Sequence, residues 1–309
     1  MKILVTGGAG FIGANLVRTL INAGHTLRVL DNFSVGQRTH LERLALEIVE
    51  GDILDTGTVA RAVEGIDGIV HLAAQTGVPG SLVDPHHDCE TNVFGTLNML
   101  EAARHANVRR FVFASSNAPL GRQPPPATED KAPLPISPYG ASKLAGEGYC
   151  LAYYGSWGLG TVVLRFANVY GPYSAHKNSV VAKFFKDMLN EGEITIDGDG
   201  MQTRDFVYVG DLCRAIQLAL ESDVSGEVFQ IATGAETSIL ELAELVQEVA
   251  DRPVETHHGP TRRGDIRKNY SAVGKVESML GWMPEVTLER GLQTTWAWFS
   301  KHERGSDRA

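Results

Sequence analysis

The sequence predicts an α/β protein, a doubly wound parallel sheet followed by a smaller α+β part. Three observations carry this. Short continuous apolar runs alternate with helical periodicity through the first half, a glycine-rich turn follows the first run, and the pattern changes near Ala175. Strands of a parallel sheet are buried on both faces, so they read as unbroken apolar runs rather than alternating ones.

Taken in order, Ile3-Leu4-Val5 is the first strand, and Asn15 to Ala23 carries apolar residues at helical spacing. Leu27 to Leu30 and Leu46 to Val49 are the second and third strands, with a helical stretch from Thr58 to Val63. Gly68 to Leu72 is the fourth strand, Thr91 to His105 a long amphipathic helix, and Arg110 to Ala114 and Thr161 to Phe166 the fifth and sixth strands. Between Gly121 and Ser137 the prolines Pro124, Pro125, Pro126, Pro133 and Pro135 exclude a regular helix and predict a surface loop. Beyond Ala175, strands at Ile194–Ile196 and Val228–Ile231 mix with helices at Val180–Asn190, Asp211–Glu221 and Ile239–Ala250. The expected division is 1–174 and 175–309, interleaved near 204–235, with a polar tail from Lys301.

The bulk composition narrows the function. The 309 residues are 43% hydrophobic and 21% charged, enough to fill a core, and the net charge of −9 argues against nucleic acid or an anionic membrane as partner. Cys89, Cys150 and Cys213 are isolated, as expected of thiols in a reducing compartment. The chain runs from Met1 straight into the first strand, too soon for a signal segment, and no apolar run approaches the ~20 residues of a membrane span. The expectation is a cytoplasmic protein.

Thr6-Gly7-Gly8-Ala9-Gly10-Phe11-Ile12-Gly13 lies between the first strand and the first helix. Glycines there permit a tight turn and bring backbone N–H groups and a helix N-terminus close to a pyrophosphate. Asp31 ends the second strand, at about the 20-residue distance at which an acid accepts hydrogen bonds from an adenosine ribose and repels a 2′-phosphate. The pairing predicts the Rossmann dinucleotide fold, with NAD rather than NADP.

Tyr139-Gly140-Ala141-Ser142-Lys143 places a phenol and an ammonium on one helix face. An ordinary phenol titrates near ~10, too high for a base at neutral pH. A neighbouring ammonium favours the phenolate and lowers that value. Ser115-Ser116, ending the fifth strand, offers a hydroxyl to orient a substrate oxygen.

These motifs occur in order with His71-Leu72-Ala73-Ala74, Asn92, Arg165-Phe166-Ala167-Asn168-Val169-Tyr170-Gly171-Pro172, Thr203-Arg204-Asp205-Phe206-Val207-Tyr208-Val209 and Arg262-Arg263-Gly264-Asp265. Together they resemble the NAD-dependent epimerase/dehydratase family of extended short-chain dehydrogenases, most closely its UDP-glucose 4-epimerase branch, over nearly the whole chain to about Leu292. The resemblance implies pyrophosphate at Gly7, Gly10 and Gly13 with Phe11 and Ile12, adenosine ribose at Asp31 and Asn32, and adenine at Asp52 and Ile53. It implies a cofactor wall of Leu72, Ala73, Ala74, Asn92, Ser115 and Phe166, and a catalytic set of Ser116, Tyr139 and Lys143. Asn168, Arg204 and Arg262 would hold the UDP diphosphate and ribose, as two guanidinium groups suit a diphosphate. Asn117, Asn178 and Asn269 complete the implied substrate set. A homodimer is implied through helices near Thr91–His105 and Pro138–Tyr154.

Departures from the family pattern bear on the reaction. Asn117 and Ala118 stand where 4,6-dehydratases of this family carry an Asp-Glu pair and decarboxylases a glutamate, so neither general acid is available. Pro119-Leu120 replaces a valine–tyrosine pair. A 4-epimerase needs no further acid: it oxidises the sugar at C4 and returns hydride to the other face of the 4-keto sugar. Asn269, at a position occupied by tyrosine in epimerases restricted to plain hexoses, leaves room for UDP-GlcNAc/UDP-GalNAc beside UDP-glucose/UDP-galactose, whereas a one-residue slip onto Tyr270 would reverse that reading. Other epimerases or reductases of the scaffold remain alternatives. A UDP-glucuronate 4-epimerase would want an added cation, and Pro79-Gly80-Ser81 supplies none. A non-catalytic NAD(H)-binding regulator would show a broken Ser–Tyr–Lys set, which here is intact. His86-His87 and His257-His258 lack a third ligand and predict no metal site, and Trp282, Trp296 and Trp298 are expected to pack the C-terminal end onto the body.

Overall fold

In a computed structural model the described residues are 1–261 and 266–302. Arg262, Arg263, Gly264, Asp265 and the tail beyond His302 lie outside them. The chain opens with β1 (Lys2–Thr6), α1 (Phe11–Asn22), β2 (Thr26–Asp31), β3 (Leu46–Glu50), α2 (Thr56–Val63) and β4 (Gly68–His71). Two short helices, α3 (Val78–Val83) and α4 (Pro85–Cys89), precede α5 (Gly95–His105), β5 (Arg110–Ser116), α6 (Pro138–Trp157) and β6 (Gly160–Phe166). Then come β7 (Asn168–Tyr170), α7 (Val180–Asn190), β8 (Glu193–Asp197), β9 (Thr203–Arg204), β10 (Phe206–Tyr208), α8 (Val209–Glu221) and β11 (Glu227–Ile231). The remainder is β12 (Thr237–Ser238), α9 (Ile239–Ala250), β13 (Glu255–Gly259), α10 (Gly274–Leu280) and α11 (Leu288–His302).

Seven parallel strands form the central sheet in the order β11-β6-β5-β4-β1-β2-β3. The chain winds outward from β1 through β2 to β3, then crosses to β4 on the other side. The switch point between β1 and β4 opens a crevice at the carboxyl ends of the strands, the place where such sheets bind ligands. One apolar layer, including Leu16, Leu20, Leu212 and Ile216, packs α1 and α8 on one face. A second, including Val59, Met99, Phe111 and Tyr153, packs α2, α5 and α6 on the other. A third core (Phe184, Phe185, Ile194, Leu242, Phe299) holds α7, β8, α9 and α11 together beyond the sheet.

Three features depart from the sequence reading. The stretch expected as one helix over Thr91–His105 is a π-helical turn, Glu90–Phe94, leading into α5. Gly95 packs so closely on Ile53 that an added Cβ would sit 2.4 Å from its Cδ1. β3 is a mostly exposed edge strand, with Ile48 40% accessible. His257 and His258 lie on β13, paired in parallel with β8, a strand that its charged and polar composition concealed. Trp282 is fully buried and donates its indole N–H to the Asp211 carbonyl at 2.9 Å, fixing the C-terminal segment to the start of α8.

Candidate active site

Two cavities meet at the carboxyl edge of the sheet. The first is lined by Gly7, Gly10, Phe11, Ile12 and Gly13 from the β1–α1 turn, by Asp31, Asn32, Asp52 and Ile53, by Leu72, Ala73 and Ala74 after β4, and by Ser115, Tyr139, Lys143 and Phe166. The expected cofactor residues are thus brought together, Asn92 excepted. The second cavity takes Ser116, Tyr139, Asn168, Asn178 and Arg204. Asn117 and Asn269 lie instead in a small separate pocket with Tyr270, where Asn117 donates its amide to the Ser271 hydroxyl at 3.1 Å. The expected Arg262 falls outside the described residues.

The glycine turn has separable physical reasons. Gly7 has φ +67°, and a Cβ there would lie 2.9 Å from the Ala73 nitrogen. At Gly13 a Cβ would lie 2.3 Å from the Gly7 carbonyl, so this glycine lets α1 press onto the turn. Gly10 meets nothing within the protein closer than 3.3 Å; its missing side chain leaves the cleft itself open. Gly10 caps α1 without a side-chain hydrogen bond, and no acid stands in the helix's first turn, as an anion-receiving helix end requires. The turn therefore fits a pyrophosphate.

Asp31 is 7% exposed and holds two backbone amides, Ala9 N–H on Oδ2 and Phe33 N–H on Oδ1, both at 2.9 Å. Each carboxylate oxygen retains a further lone pair, and the side chain lines the first cavity. Asn32 donates to Asp52 Oδ2 at 2.8 Å, joining the ends of β2 and β3.

At the junction of the cavities the Tyr139 phenol lies beside the Ser116 hydroxyl, and Ser116 Oγ accepts the Ala118 N–H at 3.2 Å. Burial pushes the Tyr139 phenol above its ordinary value, the neighbouring Ser116 hydroxyl opposes this, and the Asp88 carboxylate adds to the rise. Lys143 Nζ donates to the Ala114 carbonyl at 2.9 Å and lies 4.9 Å from the Phe113 ring centroid. Burial brings its pKa down to about 8, with Asp88 pulling the other way. Ser116 is the neighbour that favours the phenolate.

Two polar assemblies brace the site from below. Ser115 donates to Glu147 Oε1 at 2.5 Å, and Glu147 forms a bidentate buried pair with Arg165 at 2.9 and 2.7 Å. His71 lies between two threonines. Thr96 spends its proton on the Asn92 carbonyl, so His71 Nε2–H donates to Thr96 Oγ1 and His71 Nδ1 accepts from Thr6 Oγ1. Burial drives the His71 pKa to about 3, leaving it neutral. Asn92 clasps Gln75 through both its N–H and its C=O and also reaches Asp88 and Ser142. Its position off the cavity wall follows: its side chain is engaged by protein.

Sequence reasoning missed Asp88, Thr76 and Lys177. Asp88 is 1% exposed, with Oδ1 unpartnered. Thr76 and Lys177 line both cavities. None belongs to a motif, and only Lys177, beside Asn178, had a neighbouring signal. Among the described residues no group of three metal-ligating side chains exists, and no helix is long and apolar enough to cross a membrane.

A parallel sheet with a glycine turn at its switch point and a Ser–Tyr–Lys set at the crevice defines an enzyme of the extended short-chain dehydrogenase type. The comparisons sharpen this: the chain belongs to the NAD dependent epimerase/dehydratase family, whose pattern matches residues 3–232, and NAD is its cofactor. It is 38% identical over 310 residues to the UDP-glucose 4-epimerase of Mycolicibacterium smegmatis, covering 97% of this chain and 98% of the relative. It is 36% identical over 313 residues to a dTDP-glucose 4,6-dehydratase of Streptomyces niveus, covering 97% of this chain and 93% of the relative. The solved UDP-glucose 4-epimerase of Thermotoga maritima with UDP-glucose superposes with a TM-score of 0.93 at 39% identity, covering 97% of this chain and 99% of that one.

Proposed function

We propose that the protein is a UDP-sugar 4-epimerase, interconverting UDP-glucose and UDP-galactose through a 4-keto sugar. The observation that carries the reading is that Tyr139 lies where the two cavities meet with the Ser116 hydroxyl beside it, next to Asn117 and Ala118, which are not acids. Expelling the C6 hydroxyl, as a dehydratase must, needs a proton donor at that place. The acids lining the cavities among the described residues are Asp31, Asp52 and Asp197, and Asp31 and Asp52 line only the first cavity, beside the glycine turn.

On this reading the β1–α1 turn and the α1 N-terminus hold the pyrophosphate of NAD, and Asp31 with Asn32 holds its adenosine ribose. When bound, oxidised NAD supplies a hydride acceptor for the sugar C4 and a positive charge. Ser116 positions O4 and Tyr139 takes its proton. Lys143 lends charge to that end of the site and holds the nicotinamide ribose. Arg204, with Asn168 and Asn178, holds the diphosphate while the hexose turns over, and the resemblance adds Arg262. The cycle is redox-neutral, so the cofactor stays bound between turnovers.

The test is to incubate the purified protein, with no added NAD, with UDP-glucose and follow the sugar by proton NMR. Appearance of UDP-galactose supports the reading; a 4-keto-6-deoxy product overturns it. We extend the proposal to a cytoplasmic homodimer. Phe94, before α5, and Trp157, ending α6, are exposed, and light scattering should give twice the chain mass.

A further inference from the structure

Asp88, Asn92 and Ser142 come from three segments, α4, the π turn and α6, and hydrogen bonds join them. The Asn92 amide shares its two N–H groups among the Gln75 carbonyl at 3.0 Å, Asp88 Oδ2 at 3.0 Å and Ser142 Oγ at 3.1 Å. Ser142, which lies between Tyr139 and Lys143 on α6, donates to the Tyr139 carbonyl at 3.1 Å. Gln75, held by Asn92 at both its N–H and its C=O, lines the first cavity. The chain runs on from the Asn92 carbonyl through Thr96 and His71 to Thr6, the residue before the glycine turn. Asp88 thus ends a network that ties the cofactor wall to the helix carrying the reacting groups, and it starts beside a π turn, a form that recurs at functional sites.

Asp88 is not among the residues that line either cavity. Its carboxylate is 1% exposed, and Oδ1 has no hydrogen-bond partner. A buried carboxylate of this kind is costly unless a charge nearby offsets it. Among the described residues no cation pairs with it directly, and the ammonium that feels it is Lys143. The other groups around Lys143 carry no free charge. Glu147 is neutralised by its bidentate pair with Arg165. Cys150 is a thiol that burial keeps protonated, and His71 is neutral, with its pKa at about 3. On α4 itself, His86 and His87 are exposed. Asp88 is therefore the negative charge that opposes the loss of the Lys143 proton by burial, and the same charge adds to the rise of the Tyr139 phenol.

We propose that Asp88 is a positioning residue of the active site: its buried carboxylate, tied through Asn92 and Ser142 to α6, fixes the wall and the charge balance in which Tyr139 and Lys143 work. A residue with a purely structural part would hold Asn92 equally well as a neutral acceptor. A residue that sets the charge of the site cannot be replaced in that way, and this difference is measurable.

The test is a pair of pH titrations on the holoenzyme and on Asp88→Asn, which keeps an acceptor oxygen for Asn92 and removes the charge. The first follows tyrosinate absorbance, with Tyr139→Phe as the reference that identifies the Tyr139 transition. The second follows kcat/KM for UDP-glucose. Loss of the negative charge lowers the pKa of both groups, so the Tyr139 transition and both limbs of the rate profile should move toward lower pH by roughly one unit. Asp88→Glu, which restores the charge, should return them most of the way. Asp88→Ser, smaller and still an acceptor through its hydroxyl, repeats the removal of charge without adding a buried NH2. A variant that loses rate while the transition and the limbs stay in place shows a purely structural role and overturns the proposal, as does an Asp88→Asn that behaves as wild type. The kinetic arm rests on the epimerase reading above. If the wild type leaves UDP-glucose unchanged, that reading fails, and the tyrosinate titration alone decides for or against Asp88.

Discussion

The ammonium of Lys143 rests 2.9 Å from the carbonyl oxygen of Ala114, its neighbour across the α6–β5 interface. Burial in that position lowers the Lys143 pKa to about 8. As pH rises through that value the ammonium discharges, so activity that depends on the cation should fall above pH ~8. Stability moves the other way. The unfolded side chain keeps its proton to about 10.5, so between the two values the unfolded chain binds more protons and stability rises with pH. A kcat/KM profile set beside thermal melts from pH 7 to 10 checks both signs.

Replacing Tyr139 by Phe removes the phenol hydroxyl that faces Ser116. Turnover should fall roughly 10²- to 10⁴-fold, the range of a lost general base. The purified variant should retain NAD, because the glycine turn and Asp31 are untouched. Steady-state rates and the cofactor content after denaturation give the two readouts.

Asp31 has both a structural and a functional role. Asp31→Ala leaves the Ala9 and Phe33 amides without their acceptor, at a cost of about 1–3 kcal/mol per unsatisfied buried group. It should also weaken NAD and narrow the preference over NADP. Asp31→Asn keeps one acceptor oxygen for one of the two amides and turns an NH2 toward the other, so it should show the relaxed cofactor preference while retaining part of the stability loss. Urea titrations and binding of the two dinucleotides to cofactor-stripped protein separate the effects.

Glu147 lies below the reacting groups, joined to Arg165 and Ser115 with 2% exposure. Glu147→Ala leaves the Arg165 charge buried and uncompensated, a loss of about 3–5 kcal/mol. Glu147→Leu should be no better, since the stranded guanidinium remains. The double replacement Glu147→Leu with Arg165→Met should recover much of the loss. Chemical denaturation of the single and double variants measures this directly.

The sheet was legible in the sequence because its strands are buried on both faces. Ile3-Leu4-Val5, Gly68 to Leu72 and Thr161 to Phe166 have no polar alternation to confuse them. The glycine turn and Asp31 were legible because one conformation serves one ligand. What stayed hidden was set by tertiary contact. The π turn at Glu90–Phe94 leads into Gly95, which packs against Ile53, a contact between segments that no local pattern announces. Strand β13 carries charged and histidine side chains on an exposed edge, without the apolar run that marks a strand. Lys177 and Thr76 meet only because β4 and β7 end at the same edge of the fold, and Asn117 turns to Ser271 for reasons visible only in the folded chain.

The most direct test of oxidation and re-reduction at one carbon is to follow the hydrogen itself. The holoenzyme is given UDP-glucose carrying deuterium at C4, in ordinary water, and the product is read by NMR. The account predicts UDP-galactose with the deuterium still at C4, because the hydride removed from one face returns to the other. Deuterium found at C6, or replaced at C4 by solvent hydrogen, would contradict it.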